Sequence, residues 1–215
     1  MIPVKDSACL TQANLNEARL DFERTLAIDE VTYGSYHPRI ASDLNKLGSV
    51  LQDQGHLSEA RACFDQALRI HENLLGEGHA DTAQSLNNSG SLLFAQGHLS
   101  EAQLYLERAL TIRETLLGHK HLDTAQSLNG LGCLLFSQGR LSEAESYFRL
   151  ALSIRQSLIG GKNIDTAQSL NSLGMLFAAQ GDYIAAQAYY EWALEIMEEV
   201  QGENDPIIAI CMNNL

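Results

Sequence analysis

Seven histidines, four cysteines and 27 acidic side chains could bind a metal, activate a nucleophile or move protons, so their spacing decides which chemistry is open to the chain. His37, His79 and His121 stand 42 residues apart, and so do His56 and His98. Residues repeated at that interval sit about one structural unit apart, too far to share an ion. Only His119 and His121 form a local pair, which falls short of the ligand count of a zinc site. Cys9, Cys63, Cys133 and Cys211 contain no C-x-x-C pair and give neither a metal set nor a disulfide framework. They read as free, buried thiols in a reducing, cytoplasmic compartment. Glu59, Glu101 and Glu143 recur at helix starts, where a carboxylate complements the helix dipole. No Ser-His-Asp order, G-x-S-x-G, phosphate loop or dinucleotide fingerprint occurs. The expectation is a chain with no catalytic residue, no metal site and no cofactor, and an enzyme is the least favoured reading.

The elements that position these residues follow from one heptapeptide. DTAQSLN occupies Asp81–Asn87, Asp123–Asn129 and Asp165–Asn171, again at intervals of 42. A fixed period of this size marks stacked units, which work by offering a surface rather than a reactive pocket. Residues 80–121 and 122–163 agree at 25 of 42 positions, which points to recent duplication. The expected units are 38–79, 80–121, 122–163 and 164–205. Residues 1–37 form a degenerate or partial first repeat, in which Gln12-Ala13 aligns with Gln54-Gly55 and Leu15–Thr32 with the second half of a unit. Residues 206–215 read as the truncated first helix of a further unit, as if the chain were a piece of a longer protein.

Within a unit, Ala83, Leu86, Gly90, Leu93 and Phe94 fall at helical spacing, and Gly97 ends that helix. Ala102, Tyr105, Leu106, Ala109, Leu110 and Ile112 give the second helix its apolar stripe, and Gly118 ends it. Tyr105, Tyr147, Tyr183, Tyr189 and Tyr190 lie on second helices and are expected to pack, with Trp192 partly exposed. The net charge is −13, which argues against nucleic acid and anionic lipid as partners. The N-terminus lacks the apolar core of a signal peptide, and no run approaches the length of a membrane span.

The order Leu86, Gly90, Leu93, Gly97, Ala102, Leu106, Ala109 resembles the tetratricopeptide repeat (TPR) over about residues 14–215. The 42-residue period and the G-x-x-H-x-x-T-A linker resemble the kinesin-light-chain type of that repeat. The resemblance implies an all-α fold, a right-handed α-solenoid of stacked antiparallel helix pairs. It also implies a concave groove lined by the first helix of each pair. Carried over position by position, the groove residues are Asn45, Gln84, Asn87, Ser91, Phe94, Gln126, Asn129, Cys133, Phe136, Gln168, Asn171 and Met175, with Ser42, Ser49, Gln52 and Ala178 beside them. An asparagine recurs in the row at 45, 87, 129, 171 and 213. Its carboxamide could pair with a peptide backbone, or it could tie neighbouring helices and fix their stacking. Both readings stand on the sequence alone.

Lys and Arg are absent from that row, with Lys46 adjacent to it. This departs from the basic groove of kinesin light chains and from the carboxylate clamp of chaperone-binding TPR proteins. The expected ligand is a protein or peptide, neutral or basic, with apolar anchors that meet Phe94 and Phe136. The leading reading is therefore a non-enzymatic protein–protein interaction scaffold. A regulatory sensor arm of a larger nucleotide-switch or protease-linked protein is a second reading. Self-association through the apolar edge of 206–215 is a third.

Overall fold

The computed structural model describes the backbone of residues 5–201 and side chains from Ala13 to Val200. The expected self-association edge, Cys9, Cys211 and Asn213 lie outside the residues so described. Among the described residues there are helices and no strand: α1 (Lys5–Tyr33), α2 (Pro38–Asp53), α3 (Leu57–Leu75), α4 (Ala80–Ala95), α5 (Leu99–Leu117), α6 (Leu122–Ser137), α7 (Leu141–Ile159), α8 (Ile164–Gln180) and α9 (Tyr183–Gln201). They fall into two compact halves, one within residues 1–116 and the other within 117–215. In the first half α2 packs on α3, α3 on α4 and α1 on α2; in the second half α6 packs on α7, α7 on α8 and α8 on α9.

Short turns make these pairs. Gly55, Gly97, Gly139 and Gly181 have φ of +80°, +80°, +75° and +83°, and each closes a first helix in the left-handed conformation. Two backbone bonds seal the turn, as where Gly97 N–H donates to Phe94 O at 2.9 Å and His98 N–H to Leu93 O at 2.9 Å. At the aligned position of the first repeat the residue is Ala13, and α1 runs unbroken from Lys5 to Tyr33. The expected remnant of a separate first helix is thus continuous with the second. An alanine Cβ resists the positive φ that the turn needs, so the helix has no reason to stop there.

A second glycine of each unit sits inside the first helix and sets how closely the pair approaches. A Cβ on Gly48 would lie 2.6 Å from Phe64, on Gly90 2.8 Å from Leu106, on Gly132 2.5 Å from Phe148 and on Gly174 2.5 Å from Tyr190. Each pair therefore closes with a large side chain lying on bare backbone. In the second half the core around this contact contains Leu135, Ala144, Phe148, Leu170, Leu173, Ala193 and Met197, all buried. In the first half, Leu92 of α4 joins Leu47, Leu51, Ala60 and Phe64 of the preceding pair. The core is thus shared between successive pairs, as stacking requires. Tyr190 is buried as expected, whereas Tyr183 opens α9 at 72% exposure and packs no core; Trp192 is 43% exposed.

Gly132→Ala tests the close approach. Phe148 is fully buried and cannot swing away. The overpacking should outweigh the roughly 1 kcal/mol that alanine gains in helix propensity. We expect a net loss of about 1–2 kcal/mol by chemical denaturation, with the far-ultraviolet helix signal retained.

Candidate functional site

DTAQSLN is a set of instructions for one helix start, and the structure assigns most of its letters. The residue two positions before it, or one before the helix, is the N-cap. His37, His79 and His121 accept the backbone N–H of Arg39, Asp81 and Asp123 through Nδ1 at 3.2, 3.1 and 3.1 Å, and Asn163 takes the same role for Asp165 at 2.9 Å. Asp81, Asp123 and Asp165 sit in the first turn, where the helix dipole favours them. The threonine hydroxyl donates back to the glycine carbonyl of the preceding loop: Thr82 to Gly76 at 2.8 Å, Thr124 to Gly118 at 3.0 Å and Thr166 to Gly160 at 3.0 Å. Ala83, Ala125 and Ala167 are fully buried, as are Ser85, Ser127 and Ser169. Glutamine and asparagine remain to face the groove or the next pair.

In the first half these side chains do both. Asn45 is only 6% exposed and donates through Nδ2 to Ser85 Oγ at 2.7 Å, so it ties α2 to α4. Its Oδ1 is buried and has no partner among the described residues. Asn87 is also buried. Its Oδ1 accepts from Arg113 at 3.3 Å, and its carbonyl accepts from Ser91 at 2.9 Å. Gln84 is half-buried; Oε1 accepts from Arg113 at 2.7 Å, and Nε2 donates to Asn88 at 2.8 Å. Ser91 and Phe94 are half-buried on the same helix. A cavity of about 260 Å³ opens between α2 and α4, lined by Ser42, Asn45, Lys46, Ser49, His71, Asp81, Gln84 and Asn88. It brings together Asn45 and Gln84 of the expected row, while Asn87, Ser91 and Phe94 lie outside it.

In the second half Gln126 and Gln168 are exposed, and Asn129, Cys133, Phe136, Asn171 and Met175 are half-buried. Asn129 Nδ2 lies 3.9 Å from Cys133 Sγ, and Asn129 Oδ1, like that of Asn45, is buried without a partner among the described residues. Burial pushes the Cys133 thiol above its ordinary value, against a hydrogen bond from Ser172 of α8 and the charge of Arg155. Phe136 is half-buried and packs against the core of this half.

The row itself holds no Lys or Arg, but basic groups stand close to it. Lys46 lines the cavity, 3.3 Å from Asp43. Buried bases also arrive from the second helices, in the register His71, Arg113, Arg155, which continues as Met197. Arg155 Nη1 donates at 2.7 Å both to Asp165 O and to Ser169 Oγ, so α7 grips the start of α8. Burial lowers its pKa, but an arginine remains charged. His71 makes the matching contact with Ser85, 14 residues on, at 2.9 Å. The 42-residue register was the signal that could have found them: a base on the second helix recurs in three successive units, as the asparagine does on the first. Among the described residues no three His, Cys, Asp or Glu side chains gather to hold a metal ion. No described helix is long and apolar enough to cross a membrane.

Comparison with known proteins places this architecture. The tetratricopeptide repeat family's sequence model matches residues 7–71, 44–115, 105–157, 134–199 and 165–215, and the chain belongs to that family. Its fold is the family's α-solenoid, and such repeats are generally protein-interaction scaffolds. Among solved structures it is similar to BtubC (BKLC) from P. vanneervenii, with a TM-score of 0.70 and 22% identity over 94% of this chain and 79% of that one. A kinesin-light-chain protein of Podosopora anserina with nearly identical TPR-like repeats gives a TM-score of 0.62 and 22% identity over 93% and 95%. MamA gives 0.52 and 19% over 93% and 97%. No curated protein sequence matches the chain.

Arg155→Ala should leave Ser169 Oγ and the Asp165 carbonyl without their donor and open a cavity between α7 and α8. We expect a loss of about 2–4 kcal/mol by urea denaturation, well beyond the effect of truncating an exposed arginine such as Arg149.

Proposed function

We propose that the chain is a non-enzymatic interaction module that holds a peptide, extended or helical, against the first helices of its repeats. The observation that carries this reading is the α2–α4 cavity, whose lining is almost entirely hydrogen-bonding side chains: Ser42, Asn45, Ser49, Gln84 and Asn88, with Lys46 and Asp81 at its sides. Such a surface suits a polar backbone better than a greasy ligand. The row Gln126, Asn129, Cys133, Gln168, Asn171 and Met175 is the corresponding face of the second half.

The partner is neutral or basic. The chain carries −13, and its buried guanidiniums are already directed at Gln84, Asn87, Asp165 O and Ser169. A single site of this kind typically binds at micromolar strength, about −8 kcal/mol. Each 42-residue unit, from 38–79 to 164–205, acts as one module of the surface.

The test is selection from a displayed peptide library, followed by calorimetric titration of an enriched synthetic peptide. Ser49→Ala combined with Ser42→Ala should weaken that peptide about tenfold, which is about 1.4 kcal/mol, with a thermal midpoint close to wild type. An affinity unchanged by both substitutions removes the cavity from the binding site, and a library that enriches no sequence removes the peptide reading.

A further inference from the structure

His71 stands at the second-helix register where the two following repeats carry Arg113 and Arg155, and it is the only one of the three that can lose its charge near neutral pH. It is 1% exposed. Its Nε2 lies 3.3 Å from Pro38 O, which can only accept, so Nε2 carries the proton. Nδ1 then accepts from the Ser85 hydroxyl at 2.9 Å, and Ser85 Oγ in turn accepts from Asn45 Nδ2 at 2.7 Å. With His71 neutral, the Ser85 hydroxyl donates to the ring and accepts from Asn45, so its one hydrogen and its oxygen are both used within the joint.

We infer that His71 is a pH-sensitive pin of the joint where α3 meets α2 and α4, and that uptake of one proton reverses its bond with Ser85, encloses a charge in the joint and loosens the wall of the α2–α4 cavity. A protonated Nδ1 must donate. It and Asn45 Nδ2 then both aim hydrogens at Ser85 Oγ, whose own hydrogen has to find another acceptor. The charged groups around the ring do not compensate. From α4, Asp81 favours the cation, while His79 at its N-cap opposes it; from α2, Lys46 lines the same cavity and is paired with Asp43. Burial is the largest influence and lowers the pKa of His71 below its ordinary 6.5. The native fold therefore binds this proton less readily than the unfolded chain. The stability that neutral His71 contributes is complete above pH 6.5 and is lost as pH falls through the folded value. In the α7–α8 joint, Arg155 holds Ser169 by donation alone, which no change in pH near neutrality disturbs. The inference stands whether or not the cavity takes a peptide.

The experiment follows thermal unfolding of the wild-type chain, His71→Arg and His71→Gln from about pH 8 to about pH 5, with the imidazole titration of His71 read by NMR on the wild type. The other six histidines are common to all three proteins and cancel in the comparison. We expect His71 to titrate below 6.5. We also expect the wild-type midpoint to fall by roughly 2–4 °C more than that of either variant, the size of one lost tie in a chain of this length. A His71 that titrates at or above 6.5 overturns the inference, and so does a pH slope shared by the wild type and whichever variants fold. Should neither variant fold, the NMR titration decides alone.

Discussion

The contact on which the rest depends is a large side chain resting on bare helix backbone. Phe64, Leu106, Phe148 and Tyr190 each press on a glycine of the preceding helix, at distances where a Cβ would collide. That contact fixes the separation within a pair. The left-handed glycine of the intervening turn fixes the direction of return. With both set, one face of the first helix is committed to its partner and a second to the next pair. Only a narrow strip is left over, and the hydrogen-bonding side chains of the repeat collect on it.

The strip is narrower than the sequence implies, and the reason is visible at the asparagines. Periodicity places Asn45, Asn87, Asn129 and Asn171 at one angular position on successive first helices, and the described helices do keep that register. Periodicity does not report how far the next pair leans over that position. Asn45 and Asn87 are buried and tied to Ser85 and Arg113, whereas Asn129 and Asn171 are half-buried. The choice between stacking and ligand binding, open in the sequence, is therefore not uniform along the row. The helix starts, the turn glycines and the small-to-large pairing were legible because each rests on local rules of capping and φ. The burial of a particular carboxamide depends on neighbours 26 to 40 residues away, as the bonds of Asn87 and Asn45 show.

The buried bases were legible in principle and were overlooked for a physical reason. An arginine on a second helix, surrounded by glutamates and threonines, looks like one more solvated charge. Arg113 is 2% exposed because its carbon stem crosses the helix interface and its guanidinium meets oxygen acceptors of the first helix. Those acceptors, Gln84 and Asn87, are the residues that seemed free for a ligand. The base turns their oxygens toward itself, and so determines which end of each carboxamide remains for anything outside.

The direction of the tie distinguishes one joint from the others. Where α7 meets α8 the base sits on the second helix and reaches forward to the serine at position 169; where α3 meets α4, His71 reaches forward to Ser85. At the joint of α1 and α2 the same two registers are occupied by Asp29 and Asp43, which cannot make that bond while both are ionised. The base lies instead on the first helix. Arg39 reaches back toward Asp29 at 3.9 Å and over the ring of Tyr33 at 5.1 Å from its centre. Asp43, buried with one oxygen unpartnered, is held by Lys46 of its own helix. The reversal keeps opposite charges facing each other with fewer buried hydrogen bonds, and it leaves an exposed ion pair where the α3–α4 and α7–α8 joints use an enclosed hydrogen bond. Exposed pairs of this kind contribute little, so α1 is held mainly by Phe22 and Leu26 against the α2–α3 core. Joints built to one backbone plan thus differ in the polar group that closes them, and it is there, rather than in the helices, that the repeats have been individually adjusted.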